Sequence, residues 1–435
     1  MFDRFRKCSR LACWLMLAGP CLVTSPLMAA EEPVQSADLE EIVRVLLSRN
    51  PSLQSVRMRA QASEALVQSS GALEDPRVTY SIAPSSFGDT IPSGFGNALG
   101  VRQNFQLSQS IPWPGKRELR VEKMAADTDA LFNTYAQSRD ARVAEVREVW
   151  AQWWYVHFAL ESNEALRKLI ADQSAVTQTR YANGLGAQQD LLKIQTFDLK
   201  LQHQHLVLEQ QRVQLQSHLN YLLGQPSATP MPRPQMELEG PQLAARPQLD
   251  RWLLETQPAL LELQAKIQSA LLSKRLTEKE DYPDVQFNLG YNELWNEPAL
   301  RLQVGVSFNI PLDFGKRTAR KSAAAYTLHS VRMEAQSKRD ELLSQLESHL
   351  SNYEQAAHKI RLIENELLPS ATRLLEANLA SYEGGGGDFN ELVDAQEELL
   401  DTQLLLRSTY AERFIVLAQI DSLTGGRLWP SGESQ

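Results

Sequence analysis

Hydrophobic and polar positions along the chain follow two periods. In one stretch Leu302, Val304, Val306, Phe308 and Ile310 alternate with Arg301, Gln303, Ser307 and Asn309, and just before it Val285, Phe287, Leu289 and Tyr291 alternate with Gln286, Asn288 and Asn292. An earlier pair behaves likewise: Val78, Tyr80 and Ile82, then Val101, Phe105 and Leu107 set against Arg102, Asn104, Gln106 and Ser108. Period two marks strands with unlike faces, so the chain predicts two hairpins. Between them runs a helical signal of unusual length. From Gly115 to about Arg180 no proline interrupts the chain and no glycine follows Gly115, which predicts a helix of roughly 100 Å if straight. From Gln188 to Leu223 two apolar rows repeat every seven residues, Ile194, Leu201, Leu208, Leu215 and Leu222 in one, Leu192, Leu199, Leu206 and Val213 in the other. A two-stranded coiled coil needs one narrow seam. Two rows that face different directions suit a helix with a neighbour on each side, as in a closed tube of helices, and also fit a buried helix of a four-helix bundle.

These signals occur twice. Asn50-Pro51-Ser52-Leu53 returns as Gln257-Pro258-Ala259-Leu260, and Asp75-Pro76-Arg77-Val78 as Asp281-Tyr282-Pro283-Asp284-Val285, with the prolines 207 residues apart. Ile111-Pro112-Trp113-Pro114-Gly115-Lys116-Arg117 returns as Ile310-Pro311-Leu312-Asp313-Phe314-Gly315-Lys316-Arg317, with Gly-Lys-Arg offset by 200. Tyr181-Ala182-Asn183-Gly184 answers Tyr382-Glu383-Gly384-Gly385, and Leu222-Leu223-Gly224 answers Leu423-Thr424-Gly425, both at 201. The predicted organisation is a first repeat over 31–224, a proline-rich linker over 225–247 that no helix or central strand survives, a second repeat over 248–425 and a tail over 426–435. Each repeat reads helix, hairpin, very long helix, turn, long helix.

Each strand has about the 9–11 residues that a tilted membrane strand needs, and the loop Ser85–Ala98 is long, glycine-rich and polar, as external barrel loops are. Four strands cannot close a barrel, and an open edge is not tolerated in lipid. If these strands span a membrane, the chain oligomerises and shares one barrel, of eight strands in a dimer or twelve in a trimer. The competing reading is two amphipathic hairpins packed on a soluble core.

The first thirty residues read as a secretory signal peptide. Arg4, Arg6, Lys7 and Arg10 precede the apolar run Leu11 to Val23, and Met28-Ala29-Ala30 offers small residues before Glu31. A retained anchor is the alternative, which Pro20 and the shortness of the run disfavour. The three cysteines, Cys8, Cys13 and Cys21, all lie in this leader, so the mature chain has neither a disulfide framework nor a thiolate metal site. Lipidation of Cys21 is the variant reading, against which Pro20 stands where a small residue belongs. Losing four basic residues and Asp3 with the leader takes the formal charge from −9 to −12, and an acidic chain argues against nucleic acid as a partner.

The duplicated order resembles the TolC-like outer-membrane efflux proteins over about Leu39 to Gly425. The most specific segments are Tyr181-x-x-Gly184-Leu185 followed by Asp190-Leu191-Leu192-Lys193-x-Gln195, and Tyr382-x-x-Gly385 followed by Glu391-Leu392-Val393-Asp394-Ala395-Gln396. The Ile-Pro-Trp-Pro-Gly-Lys-Arg segment resembles the heavy-metal (cation) branch of that family. The resemblance implies an α+β membrane protein: a homotrimer in which each protomer gives four transmembrane β-strands to a shared twelve-stranded barrel and its long helices to a coiled-coil barrel in the periplasm. It implies a passive duct in the outer membrane, not an enzyme, that meets a periplasmic adaptor protein and an inner-membrane pump of the resistance-nodulation-division type. It further implies a pore constriction at Asp190, Glu391 and Asp394, where carboxylates repeated about a narrow axis would repel one another and attract cations. The adaptor-docking tips fall at Tyr181, Gly184, Leu185, Tyr382, Gly384 and Gly385. The run Gly384 to Gly387 departs from the family and predicts a loose second tip. Without the resemblance, Glu391 and Asp394 read as a solvated helix face.

Other chemistries find no support in the residues. His203 and His205 stand two apart on a helix and face different ways; Trp150, Trp153 and Trp154 read as packing residues; no Lys-Ser/Thr follows the glycine run, as a phosphate loop requires. Neither cofactor nor metal is expected. A soluble periplasmic adaptor or scaffold is the rival function; it explains export and long helices but not four alternating strands.

Overall fold

The computed structural model describes residues 38–84, 101–184, 186–234, 238, 240–292, 301–310, 312, 315–384 and 387–429. The leader, the loop Ser85–Ala98, Leu185, Gly385 and the end of the tail lie outside the described residues. The first repeat comprises α1 (Leu39–Arg49), α2 (Pro51–Ser70), β1 (Arg77–Pro84), β2 (Val101–Ile111), α3 (Lys116–Ala182) and α4 (Gln188–Leu222). The second comprises α5 (Arg246–Thr256), α6 (Pro258–Lys279), β3 (Val285–Asn292), β4 (Leu302–Phe308), α7 (Lys316–Leu362), a π-helical turn (Ile363–Leu367), α8 (Leu368–Glu383) and α9 (Phe389–Leu423).

The opening helix of each repeat is two helices rather than one. Pro51 and Pro258 lack the N–H that an interior helical position donates, and each starts a new helix. Asn50 accepts from Leu53 N, capping α2, while its amide donates to Leu222 O at 2.7 Å. In the second copy Thr256 Oγ1 donates to Thr424 O at 3.0 Å, so both helix joints are tied to the end of the last helix of their repeat. Gly224 and Gly425 turn the chain there with φ near +70°, and a Cβ on Gly425 would lie 3.0 Å from Thr256 O.

The long-helix expectation holds for α3, 67 unbroken residues. Its counterpart carries the π turn at Ile363–Leu367, just ahead of Pro369. One added residue in a helix makes such a turn, and one residue is what separates the repeat offset of 200 at Gly-Lys-Arg from 201 at the tip.

The duplication extends to the cores. Ile42, Leu46, Leu53, Val146, Leu219 and Leu222 form one buried cluster, and Leu249, Leu253, Leu260, Leu346, Ile420 and Leu423, the equivalent residues, form another. Trp150, Trp153 and Trp154 are buried packing residues, as expected. A third cluster joins the repeats near the helical tip: Ile170 with Ile194, Phe197 and Leu201 of α4 and Phe389, Val393 and Leu400 of α9.

The strands form one antiparallel sheet in the order β1-β2-β3-β4. The hairpins therefore join through β2 and β3, with Leu107 opposite Leu289 and Ile111 opposite Val285. β1, β3 and β4 have 8, 8 and 7 residues, shorter than the sequence expectation, and β2 has 11. Eight residues still extend roughly 26 Å.

A buried charged cluster ties the repeats together. Arg147 of α3 pairs with Asp421 of α9, both nearly inaccessible, and the guanidinium stacks over Trp429 at 4.2 Å. The other Asp421 oxygen accepts from Leu428 N at 2.7 Å, which fixes the tail. Asn220, the equivalent of Asp421, fixes the linker instead, donating to Ser227 O and Thr229 O. Asp421→Asn leaves Arg147 buried without its counter-charge and should cost about 3–5 kcal/mol, read from the denaturation midpoint. The double replacement Arg147→Met with Asp421→Leu should recover most of that loss, and an equal loss in both variants would count against the electrostatic origin. Nearby, burial pushes the Asp140 carboxyl above its ordinary range, against the pull of Arg139. Its contribution to stability is thus present at low pH and lost as pH rises through the raised value. Asp140→Asn should raise the midpoint at pH 8 relative to the parent, and the difference should vanish as the pH falls below the ordinary carboxylate range.

Candidate functional site

The sheet has two chemically distinct faces. On one lie Val78, Tyr80, Ile82, Phe105, Leu107, Phe287, Leu289, Tyr291, Leu302, Val304, Val306 and Phe308, all exposed, Val304 to 78 %. The pairings set apolar against apolar across every strand boundary: Val78 with Leu107, Leu107 with Leu289, Leu289 with Val304. Gln103, opposite Ile82, and Gln109, opposite Phe287, interrupt this face, and the Gln109 amide turns away to donate to Glu74 O at 2.8 Å. The other face is amide and hydroxyl. Gln106 and Gln286 donate to Asn288 Oδ1 at 3.3 and 3.1 Å, and Asn288 donates to Ser307 Oγ at 2.9 Å. Among the described residues no helix is long and apolar enough to cross a membrane.

The Ile-Pro-Trp-Pro-Gly-Lys-Arg segment forms the corner between β2 and α3. Lys116, inside the corner, donates to Asp284 Oδ1 at 2.7 Å and to Tyr282 O at 2.9 Å. Trp113 N donates to the same Asp284 oxygen, and the Trp113 ring stacks on Tyr282 at 5.2 Å. Partial burial alone would raise the Asp284 carboxyl; the hydrogen bonds from Lys116 and Trp113 and the Lys116 charge outweigh it and hold the group low. The motif thus fixes the angle between sheet and helix through a residue of the other repeat. Asp284 was not legible as its partner, since the equivalent first-copy position is Arg77.

At the far end α3 turns into α4, and α8 into α9. Gly184 takes φ +73°. Tyr181 is exposed, whereas Tyr382 is half-buried, meets the Phe389 ring at 5.5 Å with the planes tilted by 54° and accepts from Arg180 Nη1 at 2.7 Å. Of the glycine run at the second tip, Gly385 and Gly386 lie outside the described residues. A Cβ on Gly387 would fall 2.7 Å from Tyr382 N, so that glycine permits close approach of two backbone segments. Asp388 caps α9, accepting from Asn390 N at 2.9 Å.

Asp190 and Glu391 sit in the first turns of α4 and α9 and Asp394 in the second turn of α9, in different settings. Asp394 pairs with Lys193 at 2.5 Å, and one turn further Glu397 pairs with Lys200 at 3.2 Å. Among the described residues neither Asp190 nor Glu391 has a side-chain partner, and Glu391 O accepts from Asn378. Asp190 and Glu391 are equivalent positions of the two repeats, and so are Lys193 and Asp394. The structure therefore keeps two of the three expected carboxylates unpaired and gives the third a counter-charge. Lys193 and Arg180 were missed from sequence, although the 201-residue offset puts Lys193 in register with Asp394.

Among the described residues no group of three or more His, Cys, Asp or Glu side chains could hold a metal ion. No curated protein sequence matches the chain significantly. Solved structures do match. A membrane protein from Pseudomonas aeruginosa superposes with TM-score 0.77 at 16 % identity, covering 90 % of this chain and 91 % of that one. The outer membrane protein VceC from Vibrio cholerae gives 0.75 at 16 %, covering 90 % and 97 %. The open state of the MtrE outer membrane channel of Neisseria gonorrhoeae gives 0.71 at 14 %, covering 90 % and 89 %. At such identities the likeness establishes the fold. The sequence itself matches the outer membrane efflux protein family over residues 42–225 and 251–426, one segment in each repeat. That match accounts for the duplication and for strands sorted by polarity, and its location is the outer membrane with the helices extending into the periplasm. The chain belongs to the outer membrane efflux protein family.

Proposed function

We propose that three copies of the chain share one twelve-stranded barrel in the outer membrane and that their helices form a periplasmic tube, giving a passive duct rather than an enzyme. The observation that carries this reading is the exposed apolar face of a four-stranded sheet whose outer edges, β1 and β4, have no partner strand among the described residues. In water such a face is a severe liability; in lipid it is required, provided further strands close both edges. A soluble adaptor or scaffold would leave it bare. The amide and hydroxyl face then lines an aqueous lumen.

The duct receives cargo from an inner-membrane pump of the resistance-nodulation-division type through a periplasmic adaptor, which meets the tips at Tyr181, Gly184, Leu185, Tyr382, Gly384 and Gly385. The domain limits are the ones set by the repeats, 31–224 and 248–425, joined by the linker 225–247. Cations, heavy-metal ions among them, are the proposed cargo class; the Ile-Pro-Trp-Pro-Gly-Lys-Arg resemblance and the acidic tip support it. Asp190, Glu391 and Asp394 form the constriction. In a trimer the equivalent positions 190 and 391 bring six carboxylates to one level, whereas 193 and 394 alternate three ammonium groups with three carboxylates.

Purified protein in planar bilayers should form discrete, steady conductance steps, and protein that never conducts would contradict a duct. At the helical tip divalent cations should block from the helical side. A carboxylate about 8 Å from a divalent ion contributes ~1 kcal/mol in a water-like dielectric, so Asp190→Asn with Glu391→Gln should weaken block by roughly tenfold or more. Lys193→Gln, which frees Asp394, should strengthen it. Block unchanged in both variants would move the constriction elsewhere. On the sheet, Val306→Arg should cost about 2–4 kcal/mol in lipid while Ser307→Arg is mild; equal effects in a refolding assay into bilayers would show that this hairpin does not face lipid.

A further inference from the structure

The apolar face of the sheet ends at the corner where strands become helices. Its row on β2 runs through Phe105, Leu107 and Ile111, all exposed, and Trp113 continues that row two residues past the strand. Tyr282, 46 % exposed, stacks on Trp113 at 5.2 Å, so an aromatic pair bounds the apolar face at its helical end. Rings with an apolar body and a polar tip gather where lipid meets water. Immediately beyond the pair lies an open cleft of about 650 Å³, bounded by the start of α3, the end of α6 and the second turn of α7. Leu119 and the Tyr282 ring give it apolar wall, and Lys279 Nζ stands 5.5 Å from the centre of that ring. Gly115 has φ +87°, and a Cβ there would stand 3.4 Å from Lys279 Nζ, so the glycine leaves one side of that ammonium uncovered.

Most charges around the cleft are matched. Lys116 pairs with Asp284 at 2.7 Å, Lys274 with Glu278 at 3.5 Å, Arg320 with Glu280 at 3.0 Å, and Lys321 with Asp281. Three lining side chains are left over. Among the described residues Arg275 and Lys279 have no carboxylate partner, and Glu118 has no cationic one. Two unmatched cations with one unmatched carboxylate suit neither a simple anion nor a simple cation. At the boundary of an apolar face they suit a ligand that carries a phosphate, an ammonium close to it and a hydrocarbon tail.

We propose that this cleft holds the headgroup of a zwitterionic phospholipid of the periplasmic leaflet, an ethanolamine phosphodiester. The proposal rests on the reading that the apolar face lies in lipid. Arg275 and Lys279 take the phosphate, the guanidinium with paired N–H groups. Glu118 accepts from the primary ammonium. The Trp113–Tyr282 pair lies against the glycerol and the first methylenes of the chains. A choline headgroup has no N–H to give Glu118, and a glycerol headgroup has no charge for it. The site occurs once per protomer, because the equivalents of Arg275, Lys279, Tyr282 and Glu118 in the other repeat are Gln68, Ala72, Asp75 and Thr318.

The test is native mass spectrometry of the full chain, washed free of lipid in non-ionic detergent and mixed with dioleoylphosphatidylethanolamine. One lipid per chain should be retained. Arg275→Gln with Lys279→Gln should weaken retention roughly tenfold or more; Arg332→Gln, an exposed position on α7 away from the cleft, should leave it unchanged. Glu118→Gln should lower retention of the ethanolamine lipid to that of dioleoylphosphatidylcholine, which a general loss of surface charge would not do. None of the three cleft residues has an ion pair to lose, so the variants should fold as the parent does. Equal retention in the parent and the double variant would overturn the proposal. So would dioleoylphosphatidylglycerol held as tightly as the ethanolamine lipid, or displacement of the lipid by an equal concentration of inorganic phosphate, which would make the cleft a site for soluble anions. Bilayer conductance separates this from the duct reading: a chain that conducts but retains no lipid removes the headgroup site and leaves the duct, whereas one that retains the lipid but never conducts keeps the site and removes the duct.

Discussion

A β-sheet edge in hydrocarbon leaves a row of backbone N–H and C=O groups with nothing to bond, and each costs several kcal/mol. This chain has two such edges, on β1 and β4, bounding a sheet whose apolar side is bare from Val78 to Phe308. Much else in the molecule serves that sheet. The Lys116–Asp284 corner fixes the angle at which strand becomes helix. A single copy satisfies its interior and leaves its flanks open.

One packing solution, a helix joint seated on the end of its own last helix, appears in both repeats with the same residues in the same places: Leu46 and Leu253, Leu53 and Leu260, Leu222 and Leu423. Where the repeats diverge, they diverge in charge. Lys193 faces Asp394, and Arg180 reaches Tyr382. Equivalent positions that carried the same charge would repel where the repeats meet; opposite charges hold the two tips together. Asp190 and Glu391, one level nearer the tip, have no side-chain partner among the described residues.

Much of this architecture is legible in the sequence because it depends on local periods. Alternation at Gln303, Val304, Ser307 and Phe308 needs no tertiary knowledge, and of the two seven-residue rows of α4 the one through Ile194 and Leu201 is buried while the one through Leu192, Leu199, Leu206 and Val213 is exposed. The repeat offsets are legible for the same reason, and the 200-to-201 step announces an extra residue whose site, the π turn before Pro369, only the fold reveals. What the sequence hides are contacts set by how distant helices lie side by side. Lys193 and Asp394 meet because two helices from different repeats converge at the tip. The split at Asn50-Pro51 reads as a helix start only once Asn50 is seen capping α2. Gly387 looks like looseness in a run of four glycines until the nearness of Tyr382 N explains it.

The central claim is that this open sheet is one third of a closed wall. Electron cryomicroscopy of the assembly extracted in mild detergent tests it most directly. The account requires particles with a three-fold axis and a barrel of twelve strands, continuous with a helical tube below. Eight or sixteen strands, or single copies whose four strands are folded and unaccompanied, would contradict it.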